Sequence, residues 1–264
     1  MTSNTGTIGL HIDSGLARIT LARAEASNAL DVPAKQALLA ALRDVAADED
    51  VRAVLLTAAG RNFCVGQDLA EHVEGLRADP ATAMRTVGEH YNPVIAALSA
   101  LTVPVVVAIR GACVGAGLGL ALAGDIRVAG AGAKFATAFT GIGLASDSGL
   151  SHALVQALGV SRATGLMLLG DRFTAAEAAA WGLVHRVVDD TEVETAAEQL
   201  ASTLATGPTA AYRQVKRLVR AAAPGLDEAL ERERLAQEAL GATRDHAAAV
   251  EAFLSKTRPV FEGR

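Results

Sequence analysis

Two glycine-rich segments constrain the fold of this chain more than any other feature. They are residues 60–69 (GRNFCVGQDL) and residues 111–119 (GACVGAGLG). Each follows a strand-like apolar run, residues 51–57 and 104–109, and each leads into a helical pattern. A glycine-rich turn between a strand and a helix exposes backbone N–H groups at the positive end of the helix dipole. Two such turns facing each other predict an oxyanion hole, and so indicate carbonyl or thioester chemistry.

The hydrophobic periodicity of the first 190 residues predicts an α/β fold of repeated strand–strand–helix units. A strand pair around a turn at residues 13–15 comes first, and a helix then begins at Pro33 and ends at the acidic residues 48–50. The predicted strands are residues 7–12, 17–21, 51–57, 104–109, 126–129, 134–136 and 184–188. The later predicted helices are residues 69–75, 81–100, 118–123, 149–158, 161–169 and 175–181.

The composition changes near Glu192 to alanine, glutamate, arginine and leucine, with no strand pattern. Three helices are predicted there, with breaks at residues 207–208 and 223–225. A helical extension of an α/β core usually packs on the core or on a neighbouring subunit. We therefore predict an α/β core over residues 1–190 and a helical oligomerisation region over residues 191–264.

Composition excludes several classes of function. The net charge of −5 provides no basic surface for nucleic acid or anionic lipid. The apolar stretch 101–124 is interrupted by Pro104, Arg110 and glycines, which favours strand, turn and buried helix over a membrane span. The polar residues 1–6 lack a signal-peptide pattern. The sequence predicts a soluble cytoplasmic protein that binds neither nucleic acid nor membrane.

Other glycine and ligand motifs fit poorly. Gly115 and Gly117 match the first two glycines of the dinucleotide fingerprint Gly-x-Gly-x-x-Gly, but the third glycine is missing, because Gly119 is not at the required spacing. Asp125 comes too early in the sequence to bind a ribose. No Gly-Lys-Ser/Thr follows, so a phosphate-binding P-loop is not predicted. No histidine or cysteine pair has metal-ligand spacing, and Cys64 and Cys113 are interpreted as small packing residues. We predict no metal and no resident cofactor.

Motifs along nearly the whole chain resemble those of the enoyl-CoA hydratase/isomerase (crotonase) family. Besides the two turns they are NAL at 28–30, GDI at 124–126, WGLV at 181–184 and FLSKTRPVFEG at 253–263, in the order in which the family carries them. The resemblance begins near Gly9. It implies the crotonase fold, binding of acyl-CoA thioesters with CoA as part of the substrate, and a homotrimer or a dimer of trimers.

The resemblance also implies which groups bind the substrate. The amides of Val65 and Ala116 match the two oxyanion-hole donors of the family, and both lie within the glycine-flanked turns. The structural alternative for the glycines is close packing of a strand on a helix. Residues expected to contact the substrate or CoA are Cys64, Gly66, Gln67, Asp68, Gly115, Gly117, Arg23, Ala26, Phe139 and Lys256.

The chain departs from the hydratases of the family at both catalytic glutamates. Gly119 and Phe139 stand at those positions, and neither side chain can transfer a proton. A carboxylate follows at Asp147, within residues 143–151 (GLASDSGLS), which resemble the epoxyphenylacetyl-CoA isomerase branch. We predict an acyl-CoA isomerase in which Asp147 moves the proton. The alternatives are a hydratase with a non-standard acid/base and a non-catalytic acyl-CoA-binding protein.

Each catalytic candidate also has a structural interpretation. Asp147 is a good N-cap for the helix that follows it, and catalysis requires instead that apolar neighbours such as Phe139 and Leu144 bury it and raise its pKa. Asp68 with Glu71 fits a variant capping box, which we favour over catalysis. The further candidates are His72, His90 and His152 as proton shuttles, Tyr91 and Asn92 in the acyl pocket, and Arg23 and Lys256 at the CoA phosphates. Each of them can instead be an ordinary surface, packing or solvated residue without a function in catalysis or binding.

Overall fold

A computed structural model describes residues 2–207, 209–221 and 225–259. Pro208, residues 223–224 of the second predicted break and residues 260–263 of the C-terminal motif lie outside this part of the chain. The strands are β1 (Thr2–Asn4), β2 (Ile8–Asp13), β3 (Leu16–Leu21), β4 (Ala53–Ala58), β5 (Val105–Ile109), β6 (Ala112–Val114), β7 (Ile126–Gly130), β8 (Lys134–Ala136), β9 (Phe173–Thr174) and β10 (Arg186–Val188). The α-helices are α1 (Val32–Ala47), α2 (Leu69–Ala78), α3 (Asn92–Ala100), α4 (Ala116–Ala123), α5 (Leu150–Leu169), α6 (Ala175–Ala180), α7 (Val193–Thr206), α8 (Thr209–Ala221), α9 (Leu226–Gly241) and α10 (Arg244–Leu254).

A seven-stranded sheet forms the centre of the fold. Its order is β1-β2-β3-β4-β5-β7-β10, antiparallel from β1 to β3 and parallel from β3 to β10. Every residue of β4 and β5 is buried, as expected for parallel strands covered on both faces. A smaller sheet, β6-β8-β9, extends from the end of β5. The predicted α/β class is confirmed.

Helices cover the two faces of the large sheet. Leu55 and Val106 face α7, where Ala197 and Ala201 complete a small apolar cluster. The alternate side chains of the same strands enter the main core with α1, α3 and α4, because successive strand residues point to opposite faces. The region past residue 190 therefore contributes to the core of its own chain, and its role in oligomerisation stays a prediction.

Two predicted helical regions are divided differently in the structure. The predicted helix 81–100 is a 3-10 turn (Ala83–Arg85), a π-helical turn (Val87–Tyr91) and then α3. Pro93 has no N–H to donate, so a regular α-helical ladder cannot run through it. The last of the three predicted C-terminal helices is in fact two, α9 and α10, because Thr243 caps a new helix by accepting from the amide of His246.

Short strands were missed by the sequence analysis, and some boundaries differ. β1, β6 and β9 have only two or three residues, too few to show an alternating pattern. The predicted strand 184–188 is limited to β10. The two helices predicted at 149–158 and 161–169 are joined as α5, interrupted by Gly159 with φ of 73°. Within the described ranges, no helix combines the length and the apolar character needed to cross a bilayer.

Candidate active site

The two glycine-rich turns lie side by side, as the sequence predicts. Cys64 forms an isolated parallel bridge with Cys113. The amide of Cys64 donates to the carbonyl of Ala112 at 3.1 Å, and the amide of Val114 donates to the carbonyl of Cys64 at 3.0 Å. The first turn is therefore fixed against β6, the strand that leads into the second turn.

Glycines at the contact allow the turns to approach this closely. A Cβ atom on Gly117 would lie 2.3 Å from the carbonyl oxygen of Cys64, closer than any real contact. Gly66 has φ of 90°, and a Cβ there would lie 3.3 Å from the amide nitrogen of Ala116. Close packing thus explains these glycines, and the same packing brings the residue after Val65 next to the amide of Ala116.

The amides of Val65 and Ala116 are free donors. Among the described residues, neither amide has a hydrogen-bond acceptor. Ala116 is the first residue of α4, where the helix dipole is positive and the first amides have no partner inside the helix. Both residues line the same cavity. Two unpaired amide donors therefore lie at the wall of one cavity, as an oxyanion hole requires.

A cavity of about 1240 Å³ runs past the two turns. It is larger than a typical small-molecule pocket. Its lining contains apolar side chains, among them residues of the π-helical turn, of the loop before α5 and of α10, together with four basic residues. The apolar lining includes Leu69, Met84, Val87, Ile142, Leu144 and Val250, and the basic lining is Arg61, Arg110, Lys134 and Arg172.

Asp147 also lines this cavity, and the residue is 5% exposed. The hydroxyl of Ser148 donates to Oδ1 at 2.9 Å, and Nε2 of Gln237 donates to Oδ2 at 3.1 Å. Burial raises the pKa of Asp147 to about 7, although these two hydrogen bonds oppose the rise. Phe139 and Leu144, the predicted apolar neighbours, are buried and line the same cavity.

Asp147 does not cap α5. The N-cap residue is Gly149, and Asp147 contributes only its main-chain carbonyl, which accepts from the amide of Leu150. The capping function is taken by Glu233 of α9, whose carboxylate accepts from the amides of Gly149 at 2.5 Å and Ser151 at 3.0 Å. The prediction that the Asp147 side chain is the N-cap of this helix is therefore wrong.

The loop that carries Asp147 occupies the space beside Gly119. A Cβ on Gly119 would lie 2.7 Å from both the Cβ and the carbonyl oxygen of Ser148. No side chain fits there while this loop keeps its position. The missing glutamate at 119 and the presence of Asp147 are thus two aspects of one local arrangement.

A buried polar network supports the first turn. Lys35 is 1% exposed, and its ammonium donates to Gln67, Glu71 and Thr86. Gln67 also accepts from the hydroxyl of Tyr91 at 2.7 Å and donates to Glu71 at 2.9 Å. The network fixes the residue that follows Gly66 and places the Tyr91 ring at the cavity wall.

A capping role for Asp68 is confirmed, but the reciprocal half of the predicted box is not. The Asp68 carboxylate accepts from the amide of Glu71 and caps α2. The Glu71 carboxylate turns away from Asp68 and bonds to Lys35 and to the amide of Val32. A buried ammonium is a stronger partner for a carboxylate than a single amide at a helix end.

Two histidines connect α2 to α10 at the cavity wall. Nε2 of His72 lies 2.7 Å from Nε2 of His246, and Nδ1 of His246 lies 2.8 Å from the carbonyl of Ile142. A carbonyl only accepts, so His246 is protonated at Nδ1 and receives a hydrogen bond from His72. Burial and, after it, the neighbouring His246 lower the pKa of His72 to about 4, and burial also lowers the pKa of His246, so both rings are neutral near pH 7.

The structure brings together seven of the predicted site residues and leaves six others away from the cavity wall. Those at the wall are Val65, Gly66, Gln67, Gly115, Ala116, Phe139 and Asp147. Gly117 and Cys64 belong to the turns but do not line the cavity, and they meet where the two turns pack together. Burial there raises the pKa of the Cys64 thiol to about 12 and keeps it protonated. Arg23 pairs with Asp31 and Asp68, and Ala26 and Lys256 are not in the lining. CoA contacts of Arg23, Ala26 and Lys256 stay predictions.

Comparison with known proteins agrees with this geometry. The sequence model of the enoyl-CoA hydratase/isomerase family matches residues 11–264. The chain belongs to the enoyl-CoA hydratase/isomerase family. It is 39% identical over 256 residues to the 1,2-epoxyphenylacetyl-CoA isomerase of Escherichia coli K12, covering 96% of this chain and 97% of that protein.

Solved structures of relatives show the same fold. An enoyl-CoA hydratase from Mycobacterium avium subsp. paratuberculosis has a TM-score of 0.87 at 32% identity, covering 98% of this chain and 99% of that chain. A crystal structure from Mycobacterium abscessus is 60% identical with a TM-score of 0.81, covering 97% of this chain and 100% of that chain. The crotonase fold is confirmed. Membership makes this chain an enzyme of a family that acts on acyl-CoA thioesters.

Two residues that contact Asp147 or its loop were not predicted from the sequence. Gln237 and Glu233 come from α9, far away in the chain, and a glutamine or glutamate in an Ala- and Glu-rich helix is normally solvent-exposed. His90 and His152, two of the candidate shuttles, are absent from the described cavity lining.

Proposed function

We propose that this family member is an acyl-CoA isomerase that shifts a double bond, or rearranges an epoxide, next to a CoA thioester. The amides of Val65 and Ala116 hold the thioester oxygen. Asp147 takes a proton from one carbon of the acyl chain and returns it to another. The observation that carries the proposal is that Asp147 is buried and lines the cavity, in a chain that has Gly119 and Phe139 at the positions of the two glutamates.

The reaction needs no co-reactant. In a 3-enoyl thioester, Asp147 removes a proton from C2, and the electron pair of that bond forms a dienolate whose negative oxygen accepts from the two amides. Return of the proton to C4 moves the electrons back and leaves the double bond between C2 and C3. A carboxyl with a pKa of about 7 is suited to both halves, because it loses and gains a proton with similar ease at neutral pH.

Product analysis tests the proposal. We expect purified enzyme to convert a 3-enoyl-CoA into the 2-enoyl-CoA of equal mass and to add no water to crotonyl-CoA. The two isomers are separated by liquid chromatography and distinguished by the UV absorbance of the conjugated 2-enoyl thioester, and a hydrated product is detected by its added mass. A hydroxyacyl-CoA as the main product would establish a hydratase instead. Binding of acyl-CoA without turnover of enoyl, dienoyl or epoxy substrates would establish a non-catalytic protein.

Other features of the sequence analysis remain proposals about the assembled enzyme. We propose a homotrimer, or a dimer of trimers, joined partly by residues 191–264, in the cytoplasm and without a metal or redox cofactor. The four basic residues at the cavity wall, Arg61, Arg110, Lys134 and Arg172, provide positive charge for the phosphates of CoA.

A further inference from the structure

Helix α9 contacts the loop that carries Asp147 through two buried polar side chains. Glu233 accepts hydrogen bonds from the amides of Gly149 and Ser151 and from the Ser151 hydroxyl, and so fixes the backbone after Asp147. Gln237 lies about one helical turn further along α9 and donates directly to the Asp147 carboxylate at 3.1 Å. Glu233 thus holds the loop, whereas Gln237 holds the carboxyl itself.

Stability alone does not account for a glutamine at 237. The side chain is 0% exposed, and its Oε1 has no hydrogen-bond partner among the described residues. A buried amide oxygen without a partner costs free energy of folding, and an unbranched apolar side chain of similar length would avoid that cost. Folding therefore does not require the polar amide group of Gln237.

An amide group, which has both a donor and an acceptor, suits a neighbouring carboxyl that gains and loses a proton. Nε2 of Gln237 donates to Oδ2 when Asp147 is ionised. After protonation, a half-turn about the terminal torsion of Gln237, which is soft, presents Oε1 as an acceptor for the acid O–H. The Ser148 hydroxyl can likewise donate or accept at Oδ1. Asp147 can keep both neighbours in both protonation states.

We propose that Gln237 is a positioning residue of the isomerisation, which holds the Asp147 carboxyl in one orientation while a proton is taken from one carbon and returned to another. This inference rests on the proposed role of Asp147. It gives α9 a part in the chemistry, whereas the sequence predicts for residues 191–264 a role in oligomerisation, with Lys256 at the CoA.

The charged and titratable groups around Asp147 determine what removal of Gln237 does. Burial raises the pKa of Asp147, and Glu233 on α9 raises it further by repulsion. Hydrogen bonds from Ser148 and Gln237 and the charge of Lys35 on α1 lower it. Burial and, after it, the charge of Asp147 raise the pKa of Tyr91 well above its usual value. Loss of the Gln237 donor leaves the other groups in place, so the pKa of Asp147 must rise.

The decisive variant is Gln237→Met, which has similar size but neither donor nor acceptor. We expect kcat on the alkaline plateau, where Asp147 is ionised in both proteins, to fall by about tenfold because the carboxyl loses its fixed orientation. KM should stay within about twofold, since the Gln237 side chain borders the cavity but is 0% exposed. The acid limb of the kcat/KM profile should move to higher pH by about one unit. The matched control is Gln199→Met on the exposed face of α7, which should change none of these values.

Each outcome decides the inference. An acid limb that does not move, with or without a fall in kcat, would show that Gln237 only packs and would overturn it. If Gln237→Met does not fold, Gln237→Glu decides: a second carboxyl of the same size should move the acid limb upward by repulsion, and an unmoved limb overturns the inference. Asp147→Asn is measured in the same assay. Full turnover by Asp147→Asn overturns the proposed function and this inference together. If Asp147→Asn loses turnover while the kinetics of Gln237→Met equal those of the parent enzyme, this inference alone is overturned.

Discussion

Replacing Asp147 with asparagine should reduce 3-enoyl to 2-enoyl isomerisation by at least about 10²-fold while the protein stays folded. A positioned general acid/base contributes about 10²–10⁴-fold to a rate, and neither Gly119 nor Phe139 can replace it. The asparagine is isosteric. Its oxygen can accept from Ser148, and its NH2 can donate to the unpartnered Oε1 of Gln237 after the latter amide turns.

The pH dependence of the parent enzyme and of this variant should differ. With a pKa of about 7, Asp147 loses its base form as pH falls, so kcat/KM should drop tenfold per unit below about pH 7. The raised pKa also means that the folded protein binds more protons than the unfolded chain between pH 3.8 and 7, so this carboxyl lowers the free energy of unfolding as pH rises through that window. Asp147→Asn should therefore be as stable as the parent, or more stable, above pH 7.

Thermal unfolding and steady-state kinetics on the same samples check both expectations. Asp44→Asn, on the exposed surface of α1, is the matched control and should keep the parent kcat. Turnover by Asp147→Asn within a few-fold of the parent would exclude Asp147 as the proton carrier.

Removing the amide of Ala116 should lower kcat by about 10²–10³-fold, equivalent to about 2.7–4 kcal/mol of barrier. Ala116→Pro does this with little effect on α4, because the first position of a helix has no intrahelical bond to lose and favours proline. The preceding Gly115 has φ of 58° and ψ of −127°, the mirror image of the extended conformation that precedes proline, and glycine adopts it freely. Acyl-CoA affinity should fall less than kcat, since the enolate oxygen carries more charge than the carbonyl.

A second alanine-to-proline variant controls for the effect of the ring. Ala175 is also buried and begins α6, but it is not in the described cavity lining. The preceding Thr174 has ψ of 166°, which is compatible with proline. Ala175→Pro should keep the parent kcat. A folded Ala116→Pro enzyme with an unchanged kcat would show that this amide does not stabilise the transition state.

The parts of the site that the sequence predicts well are encoded locally. Gly66 and Gly117 lie between a strand pattern and a helix pattern, and each is needed at a point where one turn touches the other. Asp147 could be selected from the sequence because it is the carboxylate that follows Gly119 and Phe139, the two positions at which the glutamates of the hydratases are absent. Its burial could not be derived, since that depends on Phe139, Leu144 and α9, which meet only in the folded chain.

The parts that the sequence does not predict depend on long-range contacts between polar groups. Lys35 is fully buried, although a lysine on an amphipathic helix is normally exposed, because Gln67, Glu71 and Thr86 surround its ammonium. Gln237 gives no local sign of its contact with a residue about ninety positions earlier. Helix periodicity shows which residues share a face, but not which partner that face meets.

The most direct measurement is a crystal structure with a saturated acyl-CoA, which binds but cannot isomerise. The account predicts a thioester oxygen about 2.7–3.1 Å from both the Val65 and the Ala116 amide nitrogens, with a carboxyl oxygen of Asp147 facing C2 to C4 of the acyl chain. A thioester oxygen that meets neither amide, or an acyl chain on the far side of the cavity from Asp147, would contradict it.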